Sequence, residues 1–182
     1  MTHDGHAAQM ADLSICLPFY RELFQEFKRV LAPDGCLYWF CDWRSYAFYF
    51  QLFDEIKPRN LIVWDKRSGC GSFYTNEHEL IIFATNNNSL RLKSARNIIR
   101  EIPSFSSGAK KTNGEKVHPT QKPVELIEKL ILDSTQPGDT VLDCFMGSGT
   151  TAVAAKNTGR NFYGFEQQYK YAEIANKRLE YE

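Results

Sequence analysis

The chain has 182 residues with 22 basic and 22 acidic side chains, so no net charge draws it as a whole toward a polyanion. A hydrophobic content of 43%, with 14% aromatic, supplies apolar surface for a sizeable core and excludes intrinsic disorder. No stretch reaches the roughly 20 apolar residues that cross a bilayer, and Met1-Thr-His-Asp-Gly-His6 has neither the basic start nor the apolar run of a signal peptide, so a soluble cytoplasmic protein is expected.

Tyr20, Leu23, Phe24, Phe27, Val30 and Leu31 recur at three- and four-residue steps, the pattern of an amphipathic helix. Pro33-Asp-Gly35 stops it with a turn, and Cys36–Cys41 reads as a buried strand. Asp42 is placed to cap a helix from Arg44 to Ile56, which ends before Pro58. Leu61–Trp64 and Glu79–Ala84 are two further strands, separated by a loop containing glycine and serine. Residues 86–117 include three consecutive asparagines and little periodicity, and they read as a long insertion of the kind that is functional or disordered. His118-Pro-Thr-Gln-Lys-Pro123 leads into a helix over 124–134. Gln136-Pro-Gly-Asp139 then turns into a strand at Thr140–Leu142, and a helix covers 150–157. Asn161–Glu166 is a strand, and a last helix runs to Glu182. Strands alternating with helices predict an α/β fold: a Rossmann-like, mostly parallel sheet with helices on both faces.

Charge is unevenly spread. Residues 89–117 carry seven basic groups against Glu101 and Glu115, a local excess of +5, while the flanking parts are mildly acidic. That segment is a candidate polyanion-facing surface, with a solvated loop as the alternative. The five cysteines (Cys16, Cys36, Cys41, Cys70, Cys144) form no Cys-x-x-Cys pair and have no zinc-like histidine spacing, so most read as small core residues and no structural metal is indicated. His3 and His6 belong to the terminus.

The chemistry concentrates at Asp143-Cys-Phe-Met-Gly-Ser-Gly-Thr-Thr151, where a short apolar strand empties into a glycine turn that opens a helix. Gly147 and Gly149 allow a tight turn close to a ligand, and backbone N–H groups at the helix start point toward whatever fills it, as a nucleotide-like cofactor would. Gly147-Ser-Gly149-Thr-Thr-Ala152 also satisfies the dinucleotide fingerprint, with Glu166 at the tip of the next strand able to accept hydrogen bonds from two ribose hydroxyls. The alternative for Glu166 is a solvated carboxylate beside Gln167 and Gln168. A nicotinamide-dependent oxidoreductase fits the fingerprint, but that fold continues with several strands, and 31 residues follow Thr151 here. A phosphate-cradling P-loop would need a Gly-Lys-Ser/Thr sequence that is absent.

The same segment resembles the S-adenosylmethionine loop, Asp-x-Phe-x-Gly-Ser-Gly-Thr-Thr, of the DNA methyltransferases that modify exocyclic amino groups. His118-Pro-Thr-Gln-Lys-Pro123 resembles the segment preceding that loop in their circularly permuted beta class, and Lys28–Gly35 and the Trp64-Asp-Lys66 … Glu77-His-Glu79 stretch are similar to the family's central region. The resemblance spans roughly residues 20–182. It implies one methyltransferase-like domain over 1–182 with 86–117 as a basic insertion, and a bacterial or phage-encoded, cytoplasmic enzyme of DNA methylation or restriction-modification. It further implies S-adenosylmethionine as cofactor, bound by Asp143, Phe145, Gly147, Ser148, Gly149, Thr150, Thr151 and Glu166, with Thr120, Gln121, Lys122 and Pro123 closing the other side. In that arrangement Asp143 attracts the amino group or sulfonium, Phe145 walls the pocket, Lys122 meets the carboxylate, and the Ser148, Thr150 and Thr151 hydroxyls offer further partners. Residues 89–117 occupy the place of the target-recognition region, facing double-stranded DNA.

The family transfers the methyl group at an Asp/Asn/Ser-Pro-Pro-aromatic tetrapeptide whose first side chain and prolyl carbonyl hold the target amino group of an extruded base. This sequence has no such tetrapeptide; Leu17-Pro-Phe-Tyr20 offers no acceptor at its first position and continues a helical pattern. No catalytic residue is therefore assigned, and an incomplete sheet is expected, complemented by an N-terminal segment or a second copy. A non-catalytic DNA-binding or regulatory module is the second reading.

Overall fold

In the computed structural model, helix α1 (Leu17–Val30) begins with Pro18 in its first turn, where a missing N–H costs nothing. The structure describes residues 15–54, 56–86, 95–104, 111–112, 115–116 and 121–181. Thr120, the His118–Pro119 pair, His3, His6 and most of the basic segment lie outside the described residues. The chain divides into two compact units, residues 1–90 with 96–100 and residues 91–95 with 101–182, taken in turn below.

In the first unit, α1 is followed by β1 (Cys36–Cys41), α2 (Tyr46–Phe50), β2 (Lys57–Asp65), β3 (His78–Thr85) and β4 (Ile98–Ile99). Leu17, Tyr20, Phe24 and Phe27 share one face of α1 through their three- and four-residue spacing, and Phe24 is buried against Trp39 and Phe53 at ring distances of 5.1 and 4.8 Å. Cys41, Leu52, Phe53, Ile56, Ile82 and Ala84 complete this core. The sheet runs β1-β3-β2-β4, with β1 at one edge.

The α/β, Rossmann-like class is as expected, but strand direction in this unit departs from a mostly parallel sheet. β3 pairs antiparallel with both β1 and β2, and only β2–β4 is parallel. The reason lies in the connections. β1 and β2 are joined through a helix and run the same way, whereas β2 returns to β3 through the loop 66–77 without a helical crossover, so β3 inserts between them in the opposite sense.

The helix expected over Arg44–Ile56 is only Tyr46–Phe50. Asp42 does support its entry, Oδ1 accepting from Ser45 N–H at 2.8 Å and from Ser45 Oγ at 2.7 Å. Burial alone would raise the Asp42 carboxyl, but the Ser45 hydrogen bonds and the Arg44 charge hold it below its ordinary value. Beyond Phe50, Leu52, Phe53 and Ile56 turn into the core, and that packing overrides helical continuation. Ile98–Ile99, inside the segment read as aperiodic, adds a short strand because Ile99 is buried beside Trp64 in register with β2.

The second unit contains the two-residue pair β5 (Lys111–Thr112) and β6 (Glu115–Lys116), α3 (Val124–Ser134), β7 (Thr140–Asp143), α4 (Thr150–Asn157), β8 (Asn161–Gly164) and α5 (Tyr169–Tyr181). β7 and β8 are parallel, Thr140 opposite Asn161 through Asp143 opposite Gly164. α3 buries Leu126, Ile127, Leu130 and Ile131. α4 buries Ala152, Val153, Ala154 and Ala155, small residues that let its backbone approach its neighbours closely. Among the described residues no helix is long and apolar enough to cross a membrane.

Candidate functional site

Every described residue of the expected site lies in the second unit, where β7 ends at Asp143 and α4 begins at Thr150. The turn between them depends on glycine twice. Gly147 has φ +54° and Gly149 has φ +83°, values that side chains disfavour. At Gly149 there is also no room, since a Cβ would stand 2.7 Å from the Cβ of Ala175 on α5.

Two carboxylates brace the turn from opposite ends. Asp143 Oδ1 accepts from Phe145 N–H at 2.9 Å and Oδ2 from Thr151 Oγ1 at 2.6 Å, joining strand end to helix start. Glu166 Oε2 accepts from Gly147 N–H at 2.9 Å and Oε1 from Gln168 N–H at 2.8 Å. The segment after β8 adds backbone bonds, Met146 N–H to Phe165 O at 3.0 Å and Phe165 N–H to Asp143 O at 2.9 Å. Backbone N–H groups within the loop itself are thus largely spent on holding its shape. The helical ladder of α4 starts with Val153 N–H to Gly149 O, so the N–H groups of Thr150, Thr151 and Ala152 lie ahead of it at the positive end of the helix.

Residues 121–123 close on this turn although they stand more than 20 positions away in sequence. Ser148 Oγ donates to Gln121 Oε1 at 3.4 Å, Thr150 Oγ1 donates to Lys122 O at 3.5 Å, and Pro123 is fully buried at the start of α3. Ser148 and Thr150 are themselves buried, at 4% and 8% exposure. Their hydroxyls, like that of Thr151, are committed within the protein and fix the loop. Phe145, by contrast, is exposed. Cys144 lies beside Asp143, and burial followed by that carboxylate's charge raises its thiol above the ordinary value.

One residue here escapes sequence reasoning. Arg178 of α5 is only 6% exposed, and its Nη1 donates to Ser148 O at 2.9 Å and to Thr150 Oγ1 at 3.4 Å. Its sole sequence signal is the three-residue step from Ala175, and its neighbour Lys177 faces solvent and pairs with Glu173 at 3.5 Å.

A family model described as DNA methylase matches residues 5–177. The type II methyltransferase M1.MboII of Moraxella bovis is 35% identical over 202 aligned residues, covering 88% of this chain and 78% of that protein. M2.DpnII of Streptococcus pneumoniae is likewise 35% identical, over 90% of this chain and 67% of its own length. Among solved structures, the M1.HpyAVI–SAM complex superposes with a TM-score of 0.73 at 32% identity, covering 87% of this chain and 81% of that one.

Proposed function

The chain belongs to the DNA methylase family, and on that premise we propose that its glycine turn holds S-adenosylmethionine for methyl transfer to the exocyclic amino group of adenine or cytosine in DNA. One observation carries the site assignment: residues 121–123, 143–151 and Glu166 converge on a single turn. The cofactor supplies an electrophilic methyl group on a sulfonium centre. The chain's own residues have the chemistry to position it. A carboxylate has about four acceptor sites, so Glu166 retains capacity for ribose hydroxyls beyond its two backbone bonds. Asp143 places negative charge at the strand end, where an ammonium or sulfonium is stabilised. The start of α4, with the Lys122 carbonyl held against Thr150, favours a carboxylate. Phe145 offers an exposed ring as a pocket wall, and Thr120 belongs to the same segment as Gln121–Pro123. The nicotinamide reading falls with the family assignment.

DNA is the substrate of this family, and we assign its contact to residues 89–117; Arg96 and Arg100 are exposed, as phosphate-neutralising groups must be. The acceptor tetrapeptide is supplied by a complementing N-terminal segment, a reading supported by the position of β1 at a sheet edge. We place this activity in the cytoplasm.

Calorimetric titration of the folded chain with S-adenosylmethionine and S-adenosylhomocysteine tests the cofactor half; absence of binding by both would sink it. Labelled methyl transfer to DNA, with and without an added tetrapeptide-bearing segment, tests the rest. Salt-dependent DNA binding without methylation under both conditions would favour the regulatory module instead.

A further inference from the structure

Aromatic rings left in water forgo the burial that stabilises a fold, so two of them side by side on one loop call for an occupant. Phe73 and Tyr74 are 97% and 91% exposed, the highest values for large apolar side chains among the described residues. They stand in the loop 66–77 that joins β2 to β3, and that loop is built to hold its shape. Its neck is closed where Lys66 N–H donates to Glu77 O at 2.7 Å, and Asp65 Oδ1 accepts from Arg67 N–H at 2.9 Å. Further out, the Cys70 carbonyl accepts from the backbone N–H and the side-chain amide of Asn76, both at 3.2 Å. Gly69 and Gly71 let the two limbs touch: a Cβ on Gly69 would stand 2.5 Å from the Asn76 carbonyl oxygen, and one on Gly71 would collide with that of Tyr74. The rings are therefore presented in a fixed place, which lowers the ordering cost of binding.

Position and surroundings narrow the occupant. β1 and β2 both run antiparallel to β3, so their carboxyl ends lie at one end of the sheet, with exposed Trp43 following β1 and the loop following β2. That is the end at which open α/β sheets bind their ligands. A protein interface sets its aromatic anchors in a contiguous apolar core, whereas the neighbours of Phe73 and Tyr74 in the loop are Gly71, Ser72, Thr75 and Asn76, small or polar and themselves exposed. Two flat rings on a narrow polar stalk fit the faces of nucleobases, with which an aromatic side chain stacks whatever the base. Charge plays little part, because Arg44, Lys66 and Arg67 stand against Asp42, Asp65, Glu77 and Glu79 at this end of the sheet.

We propose that Phe73 and Tyr74 form a base-stacking contact with DNA, taking up bases that lie unstacked, as the neighbours of an extruded base do. The inference rests on DNA as the substrate and adds to the basic segment a contact that does not depend on charge.

Fluorescence anisotropy on the full 182-residue chain tests this with one mixed sequence in three forms: the single strand, its intact duplex, and the duplex carrying an abasic site. Phe73→Ala and Tyr74→Ala should each raise the Kd for the single strand and the abasic duplex about tenfold, and that for the intact duplex by no more than about twofold. The slope of log Kd against log salt should not change. Because neither ring is buried, these substitutions leave the fold as it is. Phe73→Leu keeps an apolar side chain without a flat face and should weaken binding as alanine does. Unchanged affinity in the alanine variants, or full affinity with leucine, would overturn the proposal and leave the DNA reading standing. Sedimentation showing that the chain self-associates through these rings, with DNA affinity intact in the variants, would overturn it in favour of a protein interface. A parent chain that binds none of the three forms removes the DNA reading and this inference together.

Discussion

Replacing Gly149 by alanine tests how the turn is built. The residue has φ +83°, and placing an L side chain there costs about 1–2 kcal/mol. The added methyl would also stand 2.7 Å from the Ala175 Cβ and 3.0 Å from its Cα, so α4 and α5 must separate. Overpacking of this kind costs about 1–3 kcal/mol, which brings the expected loss to about 2–5 kcal/mol, a large share of the roughly 5–15 kcal/mol that stabilises a typical domain. Gly138→Ala is the control, because φ is +86° there and nothing lies within 4 Å of the new methyl. It should cost only the conformational part, about 1–2 kcal/mol. Urea unfolding followed by far-UV circular dichroism gives both values, and titration with S-adenosylhomocysteine reports on the turn. Combining Gly149→Ala with Ala175→Gly should recover about 1 kcal/mol or more relative to additivity, since the two Cβ atoms no longer meet. If Gly149→Ala lies within about 0.5 kcal/mol of Gly138→Ala, or the double variant is additive, the close approach of the helices is not what demands glycine.

Asp143→Ala should destabilise by about 1–3 kcal/mol by stranding the Phe145 N–H and Thr151 hydroxyl, and Thr151→Val by less; a larger effect from Thr151→Val in the same unfolding assay would contradict the bracing role. Glu166→Gln leaves one acceptor oxygen where two now bind backbone N–H groups, so affinity for S-adenosylhomocysteine should fall about tenfold, and unchanged calorimetric affinity would remove Glu166 from the ribose site. Burial, then the charges of Asp42 and Glu79, push the Cys41 thiol up to about 12, so at pH 8 roughly one molecule in 10⁴ is thiolate, against about a quarter for an ordinary thiol. Iodoacetamide followed by mass spectrometry should therefore label exposed Cys16 and Cys70 well before buried Cys41 in native protein. Because the folded state holds the Cys41 proton more tightly, its contribution to stability is complete below the unfolded thiol's pKa of about 8.5 and is lost as pH rises toward 12. Equal labelling of Cys41 and Cys70 would refute the burial.

Periodicity locates the elements whose burial follows from local pattern alone. The apolar steps of α1, the runs of β1 and β3, and the strand–turn–helix at Asp143–Thr151 all stand where the sequence puts them. It is less informative where distant residues decide. Tyr46–Phe50 stops short because Leu52, Phe53 and Ile56 are needed in the core, and Ile98–Ile99 becomes a strand only because β2 offers an edge.

The glycine turn shows the same division within a single site. Its glycines, its flanking Asp143 and Glu166 and the Gln121–Pro123 segment are legible because the backbone torsions and bracing of a tight turn restrict which residues can serve, and such restrictions leave a local signature. That β3 runs against its neighbours, that the Ser148, Thr150 and Thr151 hydroxyls face inward, and that Arg178 rather than Lys177 reaches the loop depend on which face of each element is buried. Burial is set by contacts between residues far apart in the chain, so only the tertiary structure decides it.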